Sequence, residues 1–342
     1  MIKKMLRAAA VGYLLTIGVA VSSADAQDLE RVTIASNNDE LTVAVLNIAR
    51  QAGLFAEEGL ELDHVTPGSG PRVAAAVMGG SADFALTSFS HVIQAVEEGG
   101  DIIAIARGFD AIPYNVVLSP AAIEKTGATP DVPFNERVRK LQGLKIAISG
   151  PGGATDQFIR IMLQARDVNP DDALQLLPMK TGVNMLAALE NGSTDGFIWG
   201  APASQAAEMQ NVGKVVIHSS EVPETQDVIL LVTATSGKIL REQPELAEKV
   251  VRIFAKAMKI AENEPERAHE LLQQHYADTE PGLFTEMWND YREMLPREPV
   301  IRPEHLTASL TWLNTAERLS LATPFEKVVN TEIAERIAKE VQ

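Results

Sequence analysis

Ala76-Val-Met-Gly-Gly-Ser-Ala-Asp-Phe-Ala-Leu86 aligns without gaps on Ala188-Leu-Glu-Asn-Gly-Ser-Thr-Asp-Gly-Phe-Ile198, an offset of 112 residues. Ala, Gly, Ser and Asp coincide at four of the eleven positions, and both stretches end on apolar residues. In each, a permissive Gly ends a helix and Ser-x-Asp opens a turn whose side chains bond nearby backbone, so each reads as helix, turn and strand. One such pair would be commonplace. Here the preceding units correspond as well, Ile34 to Gly53 with Ile148 to Asp167, so the chain reads as two similar units.

Outward from the first copy, short apolar strands alternate with helical spacing, the mark of an α/β fold with mainly parallel sheets flanked by helices. Val32 to Ala35, Leu60 to His64, Phe84 to Leu86 and Ile102 to Ala106 read as strands. Leu41 to Ala52, Pro71 to Met78 and Ser90 to Glu97 read as the helices between them. Around the second copy the strands are Leu144 to Ile148, Leu174 to Leu177, Gly196 to Trp199 and Val215 to His218. Ala154 to Ala165, Val183 to Glu190 and Pro202 to Met209 are the matching helices. Val228 to Ala234 is a further β-rich run, Ser236 is placed to cap a helix, and from Pro244 the chain is charged and helical.

Such an order predicts a discontinuous first lobe, 27–113 plus 228–342, and a second lobe, 114–227. The helical C-terminal tail is expected to return to the first lobe. Two crossings, near 114–118 and 228–234, would form a hinge.

Residues 1–26 read as an address. Lys3, Lys4 and Arg7 precede an apolar stretch from Ala8 to Val21, and Ala24-Asp25-Ala26 is a small-x-small cleavage site. The stretch is shorter than the ~20 residues a membrane span needs and is broken by Gly12, Thr16 and Gly18. A cleavable signal peptide is therefore expected, and with no cysteine for a lipid anchor the destination is a Gram-negative periplasm.

The 342-residue chain carries 30 Lys and Arg against 46 Asp and Glu, net −16; losing the three cations and Asp25 of the address leaves 27 against 45, net −18. That charge, with no basic run, excludes nucleic acid as a partner. The absence of cysteine excludes disulfides, a thiol nucleophile and Cys-based metal sites.

In open α/β sheets ligands bind beyond the carboxyl ends of the strands, where helix N-termini present N–H groups. That rule selects Ser36, Asn37 and Asn38 after the first strand, Ser88 and Ser90 after the third, and Arg107 after the fourth. In the second unit it selects Gly150 to Thr155, Lys180-Thr181 and Trp199 to Pro202. Gly152 and Gly153 allow close backbone approach and Thr155 adds a hydroxyl, so amides and helix dipole there could hold a small anion. The same turn is also an ordinary strand-to-helix connection, and Ser88 or Ser90 is equally placed as a helix cap. Trp199 could stack on a flat ligand or simply fill core.

Catalytic and metal constellations are not expected. His269 and His275 are six apart and fall on different helix faces, unlike the i, i+4 pair of a zinc helix, and no Gly-x-Ser-x-Gly elbow occurs. The reading predicts no catalytic residues, no cofactor and no metal.

The chain resembles the periplasmic solute-binding proteins of ABC importers, in the group that includes sulfonate, taurine, nitrate and thiamine-pyrimidine-precursor binders. The resemblance is carried by Ala52-Gly-Leu-Phe-Ala-Glu-Glu-Gly-Leu-Glu-Leu62, Gly80-Ser-Ala-Asp-Phe-Ala-Leu86, Leu141-Gln-Gly-Leu-Lys-Ile-Ala-Ile148 and Ala187-Ala-Leu-Glu-Asn-Gly-Ser-Thr-Asp195. It covers 31–235 well and the tail loosely. It implies a two-lobed, type II-like periplasmic-binding-protein fold that closes on a solute and docks on an inner-membrane permease, as a monomer with no membrane insertion of its own.

Two departures bear on the ligand. Gly200-Ala201 stands between Trp199 and Pro202, where many relatives carry an acidic residue, which weakens the case for taurine; and the Cys-rich stretch of the pyrimidine-precursor branch is missing. By residue type the ligand is expected to be a small organic anion. An enzyme on the same scaffold and a sensory module read by a receptor are the alternatives.

Overall fold

The computed structural model describes residues 29–37 and 40–341. The expected signal peptide, 1–26, and Asn38 lie outside these residues.

Ten strands form two five-stranded sheets. The first contains β1 (Glu30–Ser36), β2 (Leu60–Val65), β3 (Phe84–Ser88), β4 (Ile103–Phe109) and β10 (Leu231–Thr235), in the order β2-β1-β3-β10-β4. The second contains β5 (Asn115–Leu118), β6 (Lys145–Ile148), β7 (Gln175–Pro178), β8 (Gly196–Trp199) and β9 (Lys214–Ile217), in the order β7-β6-β8-β5-β9. Each sheet is parallel but for one strand: β10 runs antiparallel to β3 and β4, and β5 antiparallel to β8 and β9.

The repeat seen in the letters is a repeat of bonds. The Thr33 N–H donates to Asp83 Oδ2 at 2.7 Å, and the Asp83 N–H returns a bond to the Thr33 carbonyl at 2.9 Å. In the second sheet the Lys145 N–H donates to Asp195 Oδ2 at 2.8 Å and the Asp195 N–H to the Lys145 carbonyl at 2.9 Å. The Ser81 and Ser193 amides close the preceding helices onto Ala76 and Ala188, both at 2.9 Å. Each Asp thus fastens the start of its strand to the neighbouring strand.

Residues 115–118 and 231–235 are interior strands of their sheets, so the chain crosses between sheets just before each: through 110–114, and through 218–230 with its two 3-10 turns. The expected crossings at 114–118 and 228–234 lie a few residues too late. Apolar runs such as Val228–Ala234 mark burial, and a strand and the connection leading into it share that composition.

The tail departs further from expectation. Helix Pro244–Asn263 packs on helix Ala44–Gln51 beside the first sheet, as anticipated, but helix Pro303–Glu317 packs on helix Ala154–Gln164 beside the second. Trp312 reaches across to Phe158, with ring centroids 6.4 Å apart. Helix Pro281–Tyr291 touches helix Ala203–Met209. The tail is therefore a strap over both sheets: Trp312 finds Phe158 beside the second, while Tyr291 packs on Phe109 of the first, ring centroids 5.7 Å apart. Among the described residues no helix is long and apolar enough to cross a membrane.

Candidate functional site

A cleft of about 680 Å³ opens between the carboxyl ends of the two sets of parallel strands. Asn37, Ser88 and Ser90 line it from the first sheet, and Gly152, Gly153 and Trp199 from the second. All six were selected from the sequence, as were Lys180 and Thr181, which also line it. Ser88 holds the N-cap position of helix Phe89–Glu97 without a capping bond; its hydroxyl pairs instead with that of Ser90 at 2.7 Å.

Three other selected residues, Ser36, Arg107 and Thr155, lie behind the cleft wall. Ser36 is fully buried, and its hydroxyl bonds His64 Nε2 at 2.7 Å. Thr155 is buried too: its hydroxyl accepts the Ser149 N–H at 2.8 Å and shares a second bond with the Ser149 hydroxyl, so it closes the turn. Arg107 grips Asp110 with two nitrogens, Nε to Oδ1 at 2.8 Å, and has Glu298 4.0 Å away. Its charge is spent outside the cleft.

The Gly-rich turn differs from a ready anion cradle. Gly152, at φ +70, donates its N–H to Asp156 Oδ2 at 2.8 Å, and the Gly153 N–H bonds the Gly150 carbonyl at 3.1 Å. A Cβ at Gly153 would stand 2.6 Å from Ser149 Oγ, so the turn admits only glycine there without rearrangement. The carbonyl of Gly152 is in turn held by Gln157 Nε2 at 3.2 Å.

Several lining groups escaped the sequence reading. Glu40 and Thr42 follow β1, and Ser69, Gly70 and Pro71 follow β2 at the start of helix Gly70–Met78. The strand-end rule applied to β2 would have found the latter. His91 lies against Gly70; a Cβ there would sit 2.0 Å from the ring. Its Nδ1 is buried without a hydrogen-bond partner, and burial lowers the ring's pKa below its ordinary 6.5, which keeps it neutral. Asn37 Oδ1 is likewise buried and unpartnered.

At the back of the cleft stand Tyr114 and Tyr291, the latter supplied by the tail. Burial raises both phenols' pKa, and the negative charge of Glu40 adds to it, so both remain neutral donors. Tyr114 leads into Trp199, ring centroids 6.3 Å apart. Glu40 is reached by solvent but walled by protein, and this burial raises its carboxyl above the ordinary 4.5. The cleft thus offers aromatic and apolar surface, hydroxyls, one carboxylate, one neutral imidazole and the ammonium of Lys180.

A profile of the NMT1-like family matches residues 26–274. The chain belongs to the NMT1-like family. This NMT1-like chain is 20% identical over 342 residues to YtlA of Bacillus subtilis (strain 168), which carries a binding-protein name; the match covers 97% of each. Among solved structures it is similar to the periplasmic aliphatic sulphonate binding protein SsuA from Escherichia coli, with TM-score 0.67 and 16% identity over 88% of this chain and 92% of that one. It is also similar to the periplasmic nitrate-binding protein NrtA from Synechocystis PCC 6803, with TM-score 0.64 and 17% identity over 92% and 90%. The fold is that of periplasmic binding proteins, and the resemblance carried by the sequence motifs stands.

Proposed function

We propose that this NMT1-like chain is the solute-binding component of an ABC importer. In this reading it is exported by its signal peptide, captures a small organic solute between lobes 27–113 plus 228–342 and 114–227, and delivers it to an inner-membrane permease. It works in the periplasm as a diffusing monomer, and it releases the solute unchanged. The observation that carries the reading is the cleft itself, built from equivalent strand ends of two repeated sheets joined by two crossings. The binding-protein name of YtlA and the solute-binding neighbours support it.

The test is to isolate the protein from its own cell, identify what it releases by mass spectrometry, and rebind that compound. At a hundredfold excess over Kd, binding should add about 2.7 kcal/mol to stability. Small-angle scattering should report a smaller radius of gyration with the compound than without it. Conversion of the compound into a product would replace the transport reading with an enzymatic one.

A further inference from the structure

The cleft continues past Ser88 and Ser90 into a small hollow under the strap. Ala154, Gln157 and Leu230 line both, and the hollow adds Ser309 and Trp312 of helix Pro303–Glu317. It measures about 10 Å³, on the order of the space one water molecule needs. Ser309 is 3% exposed, and its hydroxyl has no hydrogen-bond partner among the described residues. Thr307 and Thr311, on either side of it, return their hydroxyls to the carbonyls four residues back at 3.0 and 2.8 Å; Ser309 forgoes that bond. The Trp312 N–H is spent on Gln157 Oε1, and Gln157 Nε2 on the Gly152 carbonyl. Ser88 and Ser90 share one bond at 2.7 Å, which uses one hydroxyl hydrogen of the pair and leaves the other.

We infer that the hollow is an oxygen subsite of the cleft: it holds one oxygen atom that accepts hydrogen bonds from Ser309 and from the Ser88–Ser90 pair. Two unspent hydroxyl hydrogens call for an acceptor, and buried polar groups are rarely left without one. The helix ends agree with that polarity. Ser88 is the N-cap of helix Phe89–Glu97 and Ala154 the first residue of helix Ala154–Gln164, so the positive ends of two dipoles meet at the hollow. No carboxylate lines it among the described residues. The space admits a single such atom, so the oxygen belongs to an ordered water or to the tip of a solute reaching in from the cleft. The second source rests on the binding-protein reading; the first stands without it.

The experiment is crystallographic, on the free protein, on the protein with the compound identified by mass spectrometry, and on Ser309→Ala and Ser309→Val. In wild type an ordered oxygen is expected within hydrogen-bonding distance of Ser309 Oγ and of Ser88 or Ser90 Oγ. A water shows itself in the free protein, a solute oxygen only in the complex. If the solute supplies the oxygen, Ser309→Ala should bind that compound about three- to tenfold more weakly by calorimetry, the loss of one hydrogen bond; equal affinity would overturn the solute as its source. Ser309→Val fills the hollow with methyl groups and should expel the oxygen, and an oxygen that stays there overturns the subsite. So does a hollow without an oxygen in free protein and complex alike, or a Ser309 hydroxyl turned onto the His305 carbonyl of its own helix. An empty hollow in a protein that still rebinds its compound leaves the binding-protein reading intact. An ordered water in a protein that releases no compound keeps the subsite and overturns that reading.

Discussion

The indole N–H of Trp312 donates to Gln157 Oε1 at 3.0 Å, joining the C-terminal strap to the helix that begins at the cleft's Gly-rich turn. Gln157 is fully engaged. Its Nε2 donates to Glu317 Oε1 at 2.8 Å and to the Gly152 carbonyl at 3.2 Å. A residue 155 positions away in the chain therefore helps to set the cleft wall.

Trp312→Phe keeps most of the ring but leaves the Gln157 carbonyl without its buried donor. Such a loss costs about 1–2 kcal/mol. Urea unfolding should show that decrease. Gln157→Leu should lower solute affinity as well, because the Gly152 turn loses its brace; unchanged affinity would separate strap from cleft.

Gly182 backs Trp199. A Cβ on it would lie 2.6 Å from the indole Cδ1 and 2.9 Å from Ala203 Cβ, so Gly182→Ala must shift the ring. The expected result is a clear fall in affinity for the released compound, read by calorimetry, with a smaller effect on Tm. Trp199→Ala should weaken binding further.

Arg137 is buried and donates to the Val216 carbonyl at 2.6 Å and to Glu221 at 2.7 and 3.2 Å. It ties helix Phe134–Arg139 to the segment that returns the chain to the first sheet. Arg137→Ala should destabilise by about 1–3 kcal/mol, because the Val216 carbonyl loses a buried donor while Glu221, a third exposed, can turn to water. Burial works against ionised Glu221, but the hydrogen bonds and charge of Arg137 and the His218 N–H outweigh it and hold the carboxyl below 4.5. The stability this pair contributes is present above pH 4.5 and is lost as pH falls through the folded value. Acid titration of wild type against Glu221→Gln reads the difference.

His91 and His305 both have their pKa lowered below 6.5 by burial, and Arg107's charge adds to this at His305. The His305 Nδ1 also accepts the Arg302 N–H at 3.0 Å, a bond that protonation of that nitrogen would break. Below 6.5 the unfolded chain takes up protons that the native state refuses, so stability should be full above that value and fall as pH drops below it. His91→Gln with His305→Gln should flatten that slope in urea unfolding.

The two repeated units were legible because local chemistry sets them. Gly-Ser-x-Asp ends a helix and starts a strand by bonds within a few residues, and Asp83 and Asp195 make the same bonds in both sheets. Strand-end placement was legible for the same reason, and it led to Asn37, Ser88 and Gly152. Asp110, three residues beyond Arg107, was a visible rival for that guanidinium. No comparable local sign separated Thr155, whose hydroxyl closes its own turn, from a ligand contact.

By itself the sequence determined the α/β alternation, its doubling and the side of the sheets on which a ligand would bind, since these follow from periodicity and turn chemistry along short stretches of chain. Only the tertiary structure decided which strand-end side chains face the cleft and which are claimed by neighbours, and that Tyr291 of the strap joins Glu40 there. Those outcomes depend on segments hundreds of residues apart meeting, and on each buried polar group having to find a partner.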